Sequence, residues 1–228
     1  MSTPPPTLIL ASRSPRRRQL LAEAGYDAAV IPSPFVDPDE VDHGDADARE
    51  HAEDLAAKKA ESLRDQIQNS PSILQAHGVS LPVVILSADT ICVDANGRGL
   101  GKPADADQAR RMLQGFVRKT HGVVTGVCLV ALEESGRTMD SIGFRDEASV
   151  TFGYVTPGEI DRYVEDQKWR GKAGGYNLFE RRDAGWPISV EGDETTVVGL
   201  PMRRLTGELA KRGVAPHHQP QPAGGSRA

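Results

Sequence analysis

The chain has 228 residues, 38% of them hydrophobic, and a formal net charge of −5. That is enough apolar material for one α/β domain with a real core, and the acidic balance argues against a nucleic-acid polymer as partner, which would need a basic face. No apolar run approaches membrane-spanning length and the start Thr3-Pro4-Pro5-Pro6 is not a signal peptide, so no membrane partner is expected and the expected location is the cytoplasm. Cys92 and Cys128 both lie in apolar, strand-like runs and read as buried reduced thiols.

Residues 7–11 form a short apolar run with a β-branched residue, which predicts a buried strand. Ser14 then Pro15 make an N-cap and a first helical residue, Leu20, Leu21 and Ala24 recur at helical spacing, and Gly25 is a natural C-cap. Between strand and helix stands Ser12-Arg13-Ser14-Pro15-Arg16-Arg17-Arg18, with two hydroxyls and four guanidinium groups. Cations are unfavourable at the positive end of a helix dipole, so Arg13, Arg16 and Arg17 there call for an anion, a phosphate first. The alternative is a basic, solvated first turn.

Residues 37–49 are acidic and turn-rich and read as a loop, residues 50–68 as a helix, and residues 69–81 as another loop. Residues 82–93 predict a second apolar strand, Asn96-Gly97 a tight turn and residues 104–115 a helix. Residues 121–133 and 142–154 read as paired strands with a turn near residues 134–136. Thr156-Pro157-Gly158-Glu159 opens a helix that runs through Val164. A glycine-rich loop at residues 171–176 follows, and residues 196–212 start as an apolar run and end as a helix. Residues 1–6 and the His-, Pro- and Gln-rich tail 213–228 are expected to be disordered, leaving one domain over 7–212. His217-His218 in that tail is a conceivable metal pair, with plain solvation the simpler reading. The alternation of strands and helices implies a layered α/β fold with a mixed sheet.

Four further segments carry chemistry. Val83 to Asp89 is an apolar run that ends in a carboxylate, at the strand edge where α/β sheets bind ligands; the acid is a local cap or a functional group. In the helix 50–68, Leu55, Lys59, Leu63 and Ile67 are spaced by four, so Lys59 interrupts the apolar stripe while Lys58 falls off it and can pair with Asp54. Lys59 must snorkel or find an acid or a phosphate. Gly101-Lys102-Pro103 puts a lysine in a turn, and Trp169 to Tyr176 combines glycines, two cations and two aromatics. The first is a ligand contact or a surface turn; the second holds a base-stacking ring, Tyr176 or Trp169, or a structural anchor.

Together these segments resemble the Maf family of nucleoside triphosphate pyrophosphatases. The resemblance is carried, in order, by residues 8–17 with Leu20-Leu21, Ala57-Lys58-Lys59-Ala60, Ser87-Ala88-Asp89-Thr90, Gly101-Lys102-Pro103, Thr120-His121 with Thr125-Gly126-Val127, residues 172–176 and Val198-Gly199-Leu200-Pro201. It implies a single α/β/α domain with a mixed, twisted sheet, a homodimer, and hydrolysis of a nucleoside triphosphate to the monophosphate and pyrophosphate with a divalent cation, Mg2+ or Mn2+. By the same resemblance Asp89 orients or deprotonates the attacking water, with Lys59 and Lys102 completing the catalytic set. Ser12, Arg16, Arg17, Lys59 and Lys102 surround the phosphates, and Thr90 and Arg16 bear on substrate selection. The metal would lie between Asp89 and an acid of the first loop, Asp37, with Asp39 or Glu40 as alternatives. Many relatives acting on dTTP and UTP carry Ile-Gln after a Gly-Gly-Tyr-Gly run; here Tyr176-Asn177-Leu178-Phe179-Glu180 puts Phe179 at the glutamine. Phe179 can only pack or stack, and Glu180 can supply an acceptor. Pyrimidine triphosphates are the first substrates implied and modified nucleotides the second. A nucleotide-binding regulator of septum formation that has lost turnover is the alternative from another class.

Overall fold

The computed structural model describes residues 4–37, 48–94 and 97–217. In chain order it contains β1 (Thr7–Leu10), α1 (Pro15–Glu23), β2 (Ala28–Val30), α2 (Ala48–Asn69), α3 (Ser72–Ala76), β3 (Val83–Val93), β4 (Gly99–Leu100), α4 (Ala106–Phe116), β5 (Thr120–Leu132) and β6 (Thr138–Phe152). There follow α5 (Pro157–Glu165), a 3-10 turn at Ala173–Gly175, α6 (Leu178–Asp183), β7 (Ile188–Glu191), α7 (Glu194–Val198) and α8 (Met202–Lys211).

Alternation along β1 and β3 builds the layers, because successive strand side chains point to opposite faces. Leu8, Leu10, Val84, Leu86 and Ala88 pack on one face against Leu20 and Leu21 of α1 and Leu205 and Leu209 of α8. Ile9, Val83 and Ile85 pack on the other against Ala56, Ala60, Leu63 and Ile67 of α2. The result is the α/β/α sandwich expected. The strand order is β2-β1-β3-β5-β6-β7, with β4 on the far half of β3. β2 and β3 flank β1 in parallel, and the other pairings are antiparallel, so the sheet is mixed. A third apolar group joins Cys92, Val123 and Phe152 to α4, α5 and the aromatic residues Trp169, Tyr176 and Trp186.

Both cysteines are free and buried. Burial raises the thiol pKa of Cys92 to about 12 and that of Cys128 to about 11, which leaves both as inert core residues.

Several local expectations change. The helix α2 begins at Ala48, two residues early, and the loop of residues 69–81 contains the short helix α3. Ser14 stands at the N-cap of α1, yet its side chain makes no capping bond. Gly25 falls one position past the cap residue Ala24, and Tyr26 N–H reaches back to the Leu21 carbonyl at 2.8 Å. Thr156 and Glu159 form the complete capping box of α5. Packing also runs past residue 212: Val214 is buried in the core and the His217 amide donates to the Gly25 carbonyl at 2.8 Å, within the stretch expected to be a loose tail. Asp39, Glu40, Asn96 and His218 lie outside the described residues.

Candidate active site

The site begins as a gap in the sheet. β1 follows β3 only as far as Leu10 against Leu86, and β4 rejoins β3 at Cys92. Asp89 and Thr90 fall between, where the edge of β3 meets the turn that carries the arginines. Being consecutive on a strand, they face opposite sides of the sheet. Asp89 shares the face of Val83 and Ile85 and looks toward α2; Thr90 shares the face of Leu86 and Ala88 and looks toward α1.

On the α2 side, Lys59 Nζ donates to Asp89 Oδ1 at 2.6 Å. The same ammonium stands 2.9 Å from Asp37 Oδ1, an ion pair without hydrogen-bond alignment, so that buried oxygen has no hydrogen-bond donor among the described residues. The lysine that interrupts the apolar stripe has therefore found two acids. Lys58, off the stripe, pairs with Asp54 as expected. Two serines hold this side together. Ser87 Oγ donates to the Ala56 carbonyl at 2.6 Å, tying β3 to α2. Ser33 Oγ donates to the Lys59 carbonyl at 2.7 Å and accepts from Phe35 N–H at 3.2 Å, which brings the segment carrying Asp37 beside α2.

On the α1 side, Arg17 is held at three points. Nε donates to the Gly199 carbonyl at 2.9 Å, Nη1 to Ser12 Oγ at 3.1 Å and Nη2 to Thr90 Oγ1 at 3.0 Å. Ser12 Oγ also accepts from Ser14 N–H at 3.2 Å, a turn contact that fixes the chain just ahead of α1. Burial lowers the Arg17 pKa, opposed by the nearby charges of Asp89 and Asp37. Burial lowers that of Arg16 too, against the pull of Glu180 and Tyr163.

Both sides open into one cleft of about 1030 Å³, lined by Ser12, Arg13, Arg16, Arg17, Asp37, Lys59, Asp89, Thr90 and Lys102. The lining also takes in the segment 32–37 and Arg170, Gly171, Ala173, Tyr176 and Asn177 of the glycine-rich turn.

Three aromatic expectations change. Tyr176 is a wall of the cleft, but it is buried, its ring sits in T-shaped contact with Phe152 and its hydroxyl bonds His121 Nε2 at 2.8 Å, so it is held as part of the aromatic core. Trp169 is buried in the core with its indole N–H donating to the Val164 carbonyl at 3.1 Å. Phe179 does not line the cleft. The Asn177 side chain caps α6, which turns Leu178 into the core and leaves Phe179 outward, 38% exposed. Glu180, next along, receives a 2.5 Å hydrogen bond from Lys172. Gly199, Ser33 and Thr125 join the site without a role foreseen for them: Gly199 and Thr125 stand in motifs of the resemblance and Ser33 in none, no one of them carries a charge or breaks a periodicity, and their pairing in the fold gives each its part.

A cleft of cations around a lysine-held aspartate, opened in the middle of a mixed sheet, defines the class as an α/β fold with a site for a strongly anionic ligand. The profile described as Maf-like protein matches residues 7–212, and the chain belongs to the Maf family. A dTTP/UTP pyrophosphatase of Agathobacter rectalis is 35% identical over 207 residues, covering 91% of this chain and 98% of its own. Proteins of the same name from Acholeplasma laidlawii and Pyrococcus furiosus are 33% and 36% identical; they cover 92% and 86% of this chain and 98% and 90% of their own.

Proposed function

We propose that the protein hydrolyses nucleoside triphosphates to monophosphate and pyrophosphate, with the pyrimidine nucleotides dTTP and UTP as first substrates. The observation that carries this reading is the convergence of Lys59-held Asp89 and of Ser12-, Thr90- and Gly199-held Arg17 on one cleft. The pyrimidine preference rests on the names of the relatives.

Asp89 Oδ1 accepts from Lys59, so Oδ2 is the oxygen left to orient a water and take its proton. That water attacks the α-phosphorus, the bond from the α-phosphorus to the bridging oxygen breaks, and pyrophosphate leaves with its electron pair. Arg17 has spent three of its five N–H groups on the protein, leaving one on each terminal nitrogen for phosphate oxygens. Ser12 Oγ accepts two hydrogen bonds, which leaves its own proton for a phosphate. Arg16 and Lys102 supply further positive charge from the cleft wall.

A divalent cation, Mg2+ or Mn2+, fits this donor set. Asp37 Oδ1 is a buried carboxylate oxygen without a hydrogen-bond donor, and Asp89 lies on the same ammonium. Mg2+ needs only one or two carboxylates when phosphates and waters complete its shell, and no cluster of three acidic, histidine or cysteine ligands occurs among the described residues. Bound there by Asp37 and Asp89, the cation would neutralise charge on the triphosphate. On the family's pattern the working unit is a homodimer in the cytoplasm.

The test is pyrophosphate release from a panel of nucleoside triphosphates with Mg2+ or Mn2+. The wild type is expected to turn over dTTP and UTP, and Asp89→Asn to lower kcat by about a hundredfold or more while nucleotide affinity changes by only about threefold. A wild type that cleaves none of the panel, or an Asp89→Asn enzyme of full activity, would overturn the reading.

A further inference from the structure

Thr90, Thr125 and Asp146 stand side by side on β3, β5 and β6, as paired residues of adjacent strands. The helix α7 lies over this row. Thr125 Oγ1 is 2.7 Å from the Thr196 carbonyl oxygen, and Thr196 Oγ1 donates to Asp146 Oδ2 at 2.6 Å. Thr90 Oγ1 and Thr125 Oγ1 are 3.0 Å apart.

Counting protons gives this row a direction. A carbonyl oxygen can only accept, so the short contact between Thr125 and Thr196 requires the Thr125 proton. Thr125 then has no proton for Thr90, and the bond between the two threonines must be donated by Thr90. Thr90 has one proton and it is spent. Its remaining capacity is as an acceptor, which Arg17 Nη2 uses at 3.0 Å. Thr90, although it lines the cleft, has no hydroxyl proton to give a substrate.

Thr125 holds Arg17 by a second route. By donating to Thr196 it pins α7 to the sheet, and α7 ends at Gly199, whose carbonyl accepts from Arg17 Nε at 2.9 Å. Two of the three anchors of Arg17 thus lead back to one fully buried hydroxyl that does not line the cleft.

We infer that Thr125 is a positioning residue: its hydroxyl, through Thr90 on one side and α7 on the other, aims the Arg17 guanidinium at the phosphates. This rests on the triphosphate reading of the cleft, and the role of Thr90 becomes acceptor for Arg17 rather than contact to substrate.

The experiment compares kcat/KM for dTTP in the wild type, Thr125→Val, Thr125→Ser and Arg17→Gln, and in Thr125→Val combined with Arg17→Gln, with thermal midpoints alongside. Valine keeps the shape and removes the hydroxyl; it is expected to cost about tenfold or more in kcat/KM, whereas serine keeps the hydroxyl and stays within about threefold. In the Arg17→Gln background the valine change is expected to add nothing. Wild-type kcat/KM in Thr125→Val, a serine variant as impaired as the valine one, or effects that multiply in the double variant would each overturn the inference. If Thr125→Val does not fold, Thr90→Val breaks the same line one link nearer Arg17 at a half-buried position, and the comparison with Arg17→Gln is made with it. A wild type without turnover would sink the functional reading and not this one. The variants are then compared for calorimetric binding of inorganic tripolyphosphate, and the same pattern of losses decides.

Discussion

Gly199 shows how one backbone position governs the cation beside it. Its φ is +125°, a region that residues with a Cβ avoid, and a Cβ built there would stand 3.2 Å from Arg17 Nε and 3.4 Å from Thr90 Oγ1. The same residue lends its carbonyl to Arg17. Gly199→Ala is therefore expected to lose about 1–3 kcal/mol of stability from backbone strain and to lower kcat/KM by about tenfold by pushing Arg17 off its carbonyl. Denaturant melts and steady-state kinetics on dTTP check both, and an alanine variant with wild-type kcat/KM would show that Arg17 tolerates the intrusion. Residues of this kind explain how the site was only partly legible. Asp89 ends an apolar run, Lys59 breaks a helical stripe and Arg17 crowds a helix start, so each violates a local pattern. Gly199, Thr125 and Ser33 violate none, and their roles depend on partners 182, 71 and 26 positions away in the chain. Phe179 misled for the opposite reason: its place in a motif says nothing of the cap at Asn177 that turns it outward.

The pairing of α2 with the sheet is decided by a missing side chain. Gly126 on β5 is the cross-strand partner of Asp89, and a Cβ there would come within 2.3 Å of the Ala52 carbonyl oxygen. The α2 backbone rests directly on this glycine, which is how Lys59 comes close enough to hold Asp89 at 2.6 Å. Gly126→Ala is expected to lift α2, cost roughly 1–3 kcal/mol or more as an overpacked contact, and reduce kcat more than its effect on KM because the Lys59–Asp89 bond lengthens. A variant with unchanged melting and unchanged kcat would show that α2 can retreat without disturbing the site. Long elements were readable because their periodicities are long: β3, β5 and α5 fall within a residue or so of where apolar spacing and capping residues put them, α2 starts two residues early, and β6, expected over 142–154, runs over Thr138–Phe152. Among the short elements β1 was readable from its apolar run, and α3, α6 and β7 were not. α6 is the polar stretch Leu178–Asp183, held by the Asn177 cap and by Leu178 in the core, and β7 is a four-residue edge strand that exists because β6 offers it a ladder.

Across the molecule, the aromatic core beneath the glycine turn links stability to pH. His121 is almost wholly buried, its ring stacked on Phe116 at 3.9 Å and tilted against Phe152, with Nε2 on the Tyr176 hydroxyl and Nδ1 without a hydrogen-bond partner among the described residues. Burial disfavours the imidazolium and lowers its pKa from 6.5 to about 4. In the unfolded chain the same ring titrates near its ordinary value. Between the two pH values the unfolded state binds a proton that the folded state refuses, so stability must fall as pH drops from 6.5 to 4. The full loss is roughly 3 kcal/mol, reached only below the folded pKa, and nothing is lost above the unfolded one. Carboxylates in the ion pairs add their own acid sensitivity lower down, so the difference between two proteins isolates the histidine. Glutamine at the position can keep a hydrogen bond to Tyr176 and cannot titrate. Urea unfolding of wild type and His121→Gln at intervals from pH 7.5 to pH 4 is expected to show the wild type losing roughly 3 kcal/mol more than the variant across the window, whatever the variant's stability at neutral pH. Parallel curves would mean that the imidazole accepts its proton within the folded core.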